Sequence, residues 1–333
     1  MAQQPFSGTS RPAGSSAGVH SLDHFSLVVP DLAEAAAFYD RFGLQTHTGG
    51  DELTIHAAES PHRWGRFREA PKKALDYLSF GAYADDMATF RERLRARGIA
   101  ELSPPPMAED DTAIWFRDDG GTLIEIRVAE KVSPDVRAGG GDPLSPPGVA
   151  AAPLRDRAPV VHPRRLSHVL LFTTDVARSI DFYTGILGLG LSDAAADVVA
   201  FMHGVHGSDH HLVAFAKSDA AGFHHCSWDV GSVNDVGLGA MQMAEAGHTR
   251  GWGLGRHVLG SNFFHYVRDP WGSYSEYSHA IDFIPPDGLW RPQHTTPDNG
   301  FFLWGPAPPP DFVTNYESPS AELARELSAS ETT

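Results

Sequence analysis

The sequence predicts an α+β protein of two tandem domains, each built from two βαβββ modules. Two observations carry that reading: an internal duplication, and one strand–helix–strand grammar that recurs along the chain. Leu22-Asp23-His24-Phe25-Ser26-Leu27 lies over Leu166-Ser167-His168-Val169-Leu170-Leu171, and Phe38-Tyr39 over Phe182-Tyr183, at one offset of 144. Further on, Arg117-Asp118 with Glu125 lies over Arg268-Asp269 with Glu276 at an offset of 151. Self-similarity at a constant offset is the mark of a repeated folding unit.

In order along the chain, residues 1–20 are small and polar and read as a disordered leader. Residues 21–131 form the first domain. An apolar strand ends at Asp31, whose carboxylate suits a helix N-cap, and a helix is expected over 32–42. A second helix over 87–97 closes at Gly98, and strands follow at 112–117 and 122–128 around a Gly-containing turn. Residues 132–163, rich in Pro, Gly and Ala, read as a linker. The second domain, 164–284, repeats the pattern: a strand to Asp175, helices over 176–187 and 235–246 (the latter closed by Gly247), and strands at 262–267 and 273–278. Residues 285–316, with Trp290, Phe301, Phe302 and Trp304 among prolines, form an irregular arm packed on the second domain. Residues 317–333 form a loose polar tail.

Composition narrows the function. The 333 residues suit two domains, and 41% hydrophobic with 20% charged residues is ordinary for a globular protein. A net charge of −16, with 26 basic against 42 acidic residues, argues against a nucleic-acid partner. No apolar run is long enough to span a membrane, and the first residues are not a greasy signal peptide, so a cytoplasmic protein is expected. The single Cys226 excludes an internal disulfide and fits a reducing compartment. Eighteen histidines, several of them adjacent, point to a metal site.

That site is read in the second half. His168 lies on its first strand, His225 on the strand Phe223-His224-His225-Cys226-Ser227-Trp228, and Glu276 on its last strand. Two neutral imidazoles and a carboxylate on separate strands match the facial triad of non-haem Fe(II) oxygenases, which leaves coordination positions open; a structural zinc site would be closed by four ligands. In the first half, His24 and Glu125 take the equivalent places, but Tyr77 stands for His225. A neutral phenol replaces imidazole poorly, so no metal is expected there and His24 and Glu125 are assigned to buried hydrogen bonding.

These motifs resemble the type I extradiol ring-cleaving dioxygenases of the vicinal oxygen chelate (glyoxalase-like) superfamily, from about Ser21 to Asp282. The resemblance rests on Leu166-Ser167-His168, Phe223-His224-His225 and Asp269-Pro270-Trp271-Gly272-Ser273-Tyr274-Ser275-Glu276. It implies that His225 is the ligand of the histidine pair, with His224 facing the other side of the strand, and that the first domain is the non-catalytic copy. It also implies that His211, in Asp209-His210-His211, is the catalytic acid/base, and that His257 and Tyr266 orient substrate and oxygen. Each of these three also has a plain reading, as surface, loop and strand residue. The implied activity is extradiol (meta) cleavage of a catechol-type diol by O2 in aromatic compound catabolism, with Fe(II) as cofactor and Mn(II) as the alternative. A monocyclic substituted catechol and a homo-oligomer are expected. Met202, Trp228, Trp252 and Phe264 are candidates for lining the substrate space, and the arm either covers the pocket or merely packs. Two competing readings share the scaffold: a metal-dependent isomerase or thiol transferase, and a metal-free binding protein, which would lack a ligand.

Overall fold

The computed structural model describes residues 10–11, 14–58, 60–137, 145–286, 288 and 290–320. The first half runs β1 (Ser21–Val29), α1 (Leu32–Arg41), β2 (Gln45–Gly49), β3 (Glu52–His56), β4 (Arg63–Glu69), β5 (Ala74–Ala82), α2 (Met87–Ala96), β6 (Ile114–Arg117) and β7 (Leu123–Val128). They form one seven-stranded sheet in the order β2-β3-β4-β1-β5-β7-β6. The second half runs β8 (Arg165–Thr173), α3 (Val176–Phe182), β9 (Gly190–Ala195), β10 (Val199–His203), β11 (Ser208–Asp209), β12 (Val213–Lys217), β13 (Gly222–Asp229), α4 (Val233–Glu245), β14 (Gly251–Arg256), β15 (Phe263–Arg268) and β16 (Tyr274–His279). After it come β17 (Phe283–Ile284), β18 (Gln293–Thr295) and α5 (Pro297–Gly300). Its nine-stranded sheet is ordered β14-β15-β16-β13-β8-β12-β10-β9-β18. The α+β architecture with two tandem halves is as the sequence predicts.

The helix starts follow the expected chemistry. Asp31 accepts from the Glu34 N–H at 2.9 Å, and Asp175 from the Arg178 N–H at 3.0 Å. α4 differs: its cap is Ser232, which accepts from the Asp235 N–H at 3.1 Å, so Asp235 sits in the first turn. α3 is prolonged by a wide turn, Tyr183–Leu187, ending at Gly188 with φ 73°.

Only three of the four modules are full βαβββ units. In the second, the strand after α2 shrinks to one pairing, Leu102 with Trp115. Pro104, Pro105 and Pro106 follow directly and have no N–H to give a ladder. The end of the expected leader is also not loose: Val19 is buried and its N–H donates to Leu187 O at 2.9 Å. At the other end Glu317, placed at the start of a loose tail, is held by Lys73; residues 321–333 of that tail lie outside the described residues.

The two halves share a core. Phe25 of β1 stacks on Phe223 of β13 with centroids 5.6 Å apart, and Phe42 on Tyr277 at 3.8 Å, whose hydroxyl donates to Phe42 O. In each half the first strands of the two modules pair antiparallel, β1 with β5 and β8 with β13. The last strands, β7 and β16, run parallel to β5 and β13. This register brings residues of three different segments to one face of each sheet.

Candidate metal centre and active site

His168, His225 and Glu276 lie on β8, β13 and β16, three adjacent strands of the larger sheet. Ser227 is the register partner of both His168 and Glu276, and His225 sits two residues before it on the same face. One nitrogen from each histidine and one Glu276 oxygen lie within 4.8 Å of one another. His168 Nε2 is 3.3 Å, and His225 Nε2 3.7 Å, from Glu276 Oε2. Donors about 2.1 Å from one ion and at right angles would be ~3 Å apart, so the spacing suits a common metal.

The protons agree with that use. The Ser167 hydroxyl donates to Asp209 at 2.7 Å, so it accepts from His168 Nδ1–H at 3.2 Å and leaves Nε2 bare. His224 Nε2 donates to the Phe312 carbonyl at 2.7 Å; its Nδ1 then accepts from His225 Nδ1–H at 2.7 Å, which bares His225 Nε2. His225 Nε2 and Glu276 Oε2 are buried with no hydrogen-bond partner. Two orphaned acceptors facing each other inside a protein are costly, and a cation between them removes the cost. The three residues therefore fit a divalent metal. Burial, then the neighbouring His224, His168 and His257, pushes His225 well below the usual imidazole range, which keeps it neutral.

The expected catalytic residues converge here too. His211, just before β12, lies ring to ring with His168 at 3.9 Å. Burial first and the surrounding histidines next hold its pKa well below the ordinary value. His257 Nδ1 donates to Phe301 O at 2.8 Å, and its Nε2 accepts from the Tyr266 hydroxyl at 3.0 Å. Tyr266 faces Glu276 across the β15–β16 ladder, and burial, then Glu276, raises its pKa well above 10, so it is a neutral donor.

A cavity of about 220 Å³ opens on this cluster, walled by Phe201, Leu170, Leu259, Phe301 and Phe312. Among the described residues that line it, Glu276 is the charged group other than histidine, and there is no Lys or Arg. The arm does cover the pocket: Pro297, Phe301 and Phe312 form part of its wall, and two arm carbonyls fix the protons of His257 and His224. Trp304 stays 44% exposed and does not reach it.

Two expectations need correction, and one residue was missed. His224 does not face away from His225. The register of β13 against β8 slips between Phe223 and His225, and this bulge turns His224 onto the cavity side. Met202 and Trp228 face the hydrophobic core, while Trp252 and Phe264 pack behind Tyr266 and His257; none of the four lines the cavity. Asn262 went unnoticed in the sequence, yet its amide donates to Glu276 Oε1 at 3.0 Å and to Ser278 at 2.9 Å, aiming the carboxylate. No spacing pattern marks it, because the contact exists only once β15 and β16 pair.

The family model of the Glyoxalase/Bleomycin resistance protein/Dioxygenase superfamily matches residues 21–126 and 165–277, one match per half. The chain belongs to this superfamily. Within it the chain is an extradiol dioxygenase. It is 48% identical over 300 residues to Metapyrocatechase 2 of Cupriavidus necator, covering 90% of this chain and 93% of that protein. It is 23% identical over 312 residues to the manganese-dependent 2,3-dihydroxybiphenyl 1,2-dioxygenase of Geobacillus genomosp. 3, covering 87% and 95%. The crystal structure of the 2,3-dioxygenase LapB from Pseudomonas sp. KL28 shares the fold, with a TM-score of 0.68 at 23% identity over 85% of this chain and 99% of that one. No helix among the described residues is long and apolar enough to cross a membrane.

Proposed function

We propose that this extradiol dioxygenase opens an uncharged, monocyclic substituted catechol beside its diol, with Fe(II) held by His168, His225 and Glu276. The observation that carries the reading is the pair of buried, partnerless acceptors, His225 Nε2 and Glu276 Oε2, at the floor of an apolar cavity. Mn(II) is the alternative ion, since the same three donors accept either. Bound there, the ion supplies a Lewis acid that favours ionisation of the diol and a place for dioxygen beside the ring.

The protein's own groups do the rest. His211, neutral and with Nδ1 occupied by His210, presents Nε2 to the cavity as an acceptor for a diol proton, which it returns later as an acid. The Tyr266 hydroxyl and His257 Nε2, locked together at 3.0 Å, orient a substrate hydroxyl on the opposite side. Phe201, Phe301 and Phe312 exclude water from the ring. Among the described residues the wall carries no Lys or Arg, which disfavours a carboxylated side chain, whose buried charge would find no partner there. A cavity of about 220 Å³ falls below the ~300 Å³ at which pockets for drug-sized ligands begin, which suits one ring with small substituents. An isomerase or thiol transferase has no need of His211, His257 and Tyr266 together. The protein is expected to act as a homo-oligomer in the cytoplasm.

The test is anaerobic reconstitution with Fe(II), then oxygen uptake and visible absorbance with catechol, 3-methylcatechol, 4-chlorocatechol, 2,3-dihydroxybiphenyl and 3,4-dihydroxyphenylacetate. Uptake matched mole for mole by a yellow ring-opened product is expected with the first three, and far less with the carboxylate. A metal-loaded protein that consumes no oxygen with any diol would overturn the reading.

A further inference from the structure

A second buried polar chain stands behind His211. Asp193 of β9 and His210 are 1% and 0% exposed. His210 Nε2 lies 2.7 Å from Asp193 Oδ2, and its Nδ1 lies 3.0 Å from His211 Nδ1. The other Asp193 oxygen accepts from the Gln293 backbone N–H at 2.5 Å, on the arm strand β18. The Trp290 indole packs edge-on to the His210 ring at 5.1 Å, and Ser192 anchors the His210 carbonyl at 2.5 Å. The arm thus seals this chain as well as the cavity.

The partners decide where the protons sit. An Asp193 oxygen that accepts from His210 requires the His210 hydrogen on Nε2. The neutral ring then has a bare Nδ1, which accepts from His211 Nδ1–H. His211 Nε2, the nitrogen left to the cavity, carries a lone pair. We propose that Asp193 and His210 are positioning residues that fix the tautomer and ring plane of His211, so that its cavity-side nitrogen is an acceptor when the diol enters. The proposal rests on the reading of His211 as the proton-exchanging group. Simple packing does not explain the pair, because burying an aspartate beside an imidazole is expensive where an apolar pair would fill the same space.

Asp193→Asn separates the two views. Its carbonyl oxygen stays with the Gln293 N–H, so its NH2 faces His210 Nε2. The hydrogen of His210 then moves to Nδ1, that of His211 to Nε2, and the cavity-side acceptor is lost. In metal-loaded enzyme, kcat is expected to fall about tenfold to a hundredfold, as for other outer partners of site histidines, with KM and metal content unchanged. His211→Phe is expected to lower kcat further, by about a hundredfold or more. Adding Asp193→Asn to it should then change nothing, because the two act through one ring. Additive losses, or an unchanged kcat in Asp193→Asn, would overturn the positioning role alone. Normal turnover by His211→Phe would overturn the reading of His211 and the positioning role with it. Independently of any variant, nitrogen-resolved NMR of the Zn(II)-loaded wild type should place the hydrogens on His210 Nε2 and His211 Nδ1. The opposite assignment would contradict the proposal.

Discussion

In the first half, Arg66 donates to the Tyr77 hydroxyl at 3.0 Å, Tyr77 meets His24 Nε2 at 2.9 Å, and His24 Nδ1 meets Asp23 at 2.6 Å. Glu125 accepts from Ser79 at 2.5 Å. In the second half the same register positions hold Ala214, His225, His168, Ser167 and Glu276, and there the hydrogen bonds stop short. Ser79 pairs with both His24 and Glu125 just as Ser227 pairs with both His168 and Glu276, so the backbones are equivalent. The side chains decide the difference. In one copy a guanidinium, itself held by Glu52 at 2.5 Å, donates to the Tyr77 hydroxyl, and the chain from Arg66 through Tyr77 and His24 to Asp23 is closed by hydrogen bonds. In the other, Ala214 offers no donor at that register position, and His225 Nε2 and Glu276 Oε2 are left unpartnered. The arm sharpens the contrast, since among the described residues its carbonyls orient histidines of the second half, His224 and His257. On the proposed reading, a duplicated scaffold takes up a metal in the copy where two facing acceptors are left open and not in the copy where an arginine closes the chain.

Three changes probe that contrast. The largest effect is expected at Lys73, which ties the halves to the first residue after the arm: its ammonium is buried against Glu317, Phe223 O and Ser273, and Glu317 also accepts from the N–H groups of Leu75 and Phe223 at 3.2 Å. Lys73→Met strands a buried carboxylate and should cost about 3 kcal/mol or more of unfolding stability, measured by denaturant titration. A loss under 1 kcal/mol would show that this ion pair contributes little to holding the end of the arm in place. A smaller effect is expected from importing the open site. Tyr77→His alone should gain no metal, because Arg66 keeps a positive charge there. Tyr77→His with Arg66→Ala should take up a weakly held second ion, measured by metal analysis after equilibrium dialysis. Uptake by the single variant would mean that the guanidinium is not what closes the first site.

Much of this was legible in the sequence, for definite reasons. The repeat gave both copies of the βαβββ grammar, and Asp31, Asp175, Gly98 and Gly247 marked helix ends because capping chemistry is local. The candidate triad could be picked out because its residue types are rare together on strands, and the fold does bring the three side chains within 4.8 Å of one another. The shortened second module could have been anticipated from Pro104 to Pro106. The supporting groups could not. Asn262 and Asp193 meet their partners only through tertiary pairing, across 14 and 17 residues. His224 is turned by a bulge that alternation does not foresee. The Phe301 and Phe312 carbonyls are backbone atoms, and side-chain identity does not announce where a carbonyl will point.

Whether one half takes up the metal and the other does not is decided by metal stoichiometry in a matched pair of variants. Wild type, Glu276→Ala and Glu125→Ala would be reconstituted with Fe(II) under anaerobic conditions, freed of excess ion and analysed for iron per chain. One iron is expected in the wild type, essentially none in Glu276→Ala, and one in Glu125→Ala even if that variant is less stable. Iron retained by Glu276→Ala, or lost from a folded Glu125→Ala, would contradict that assignment.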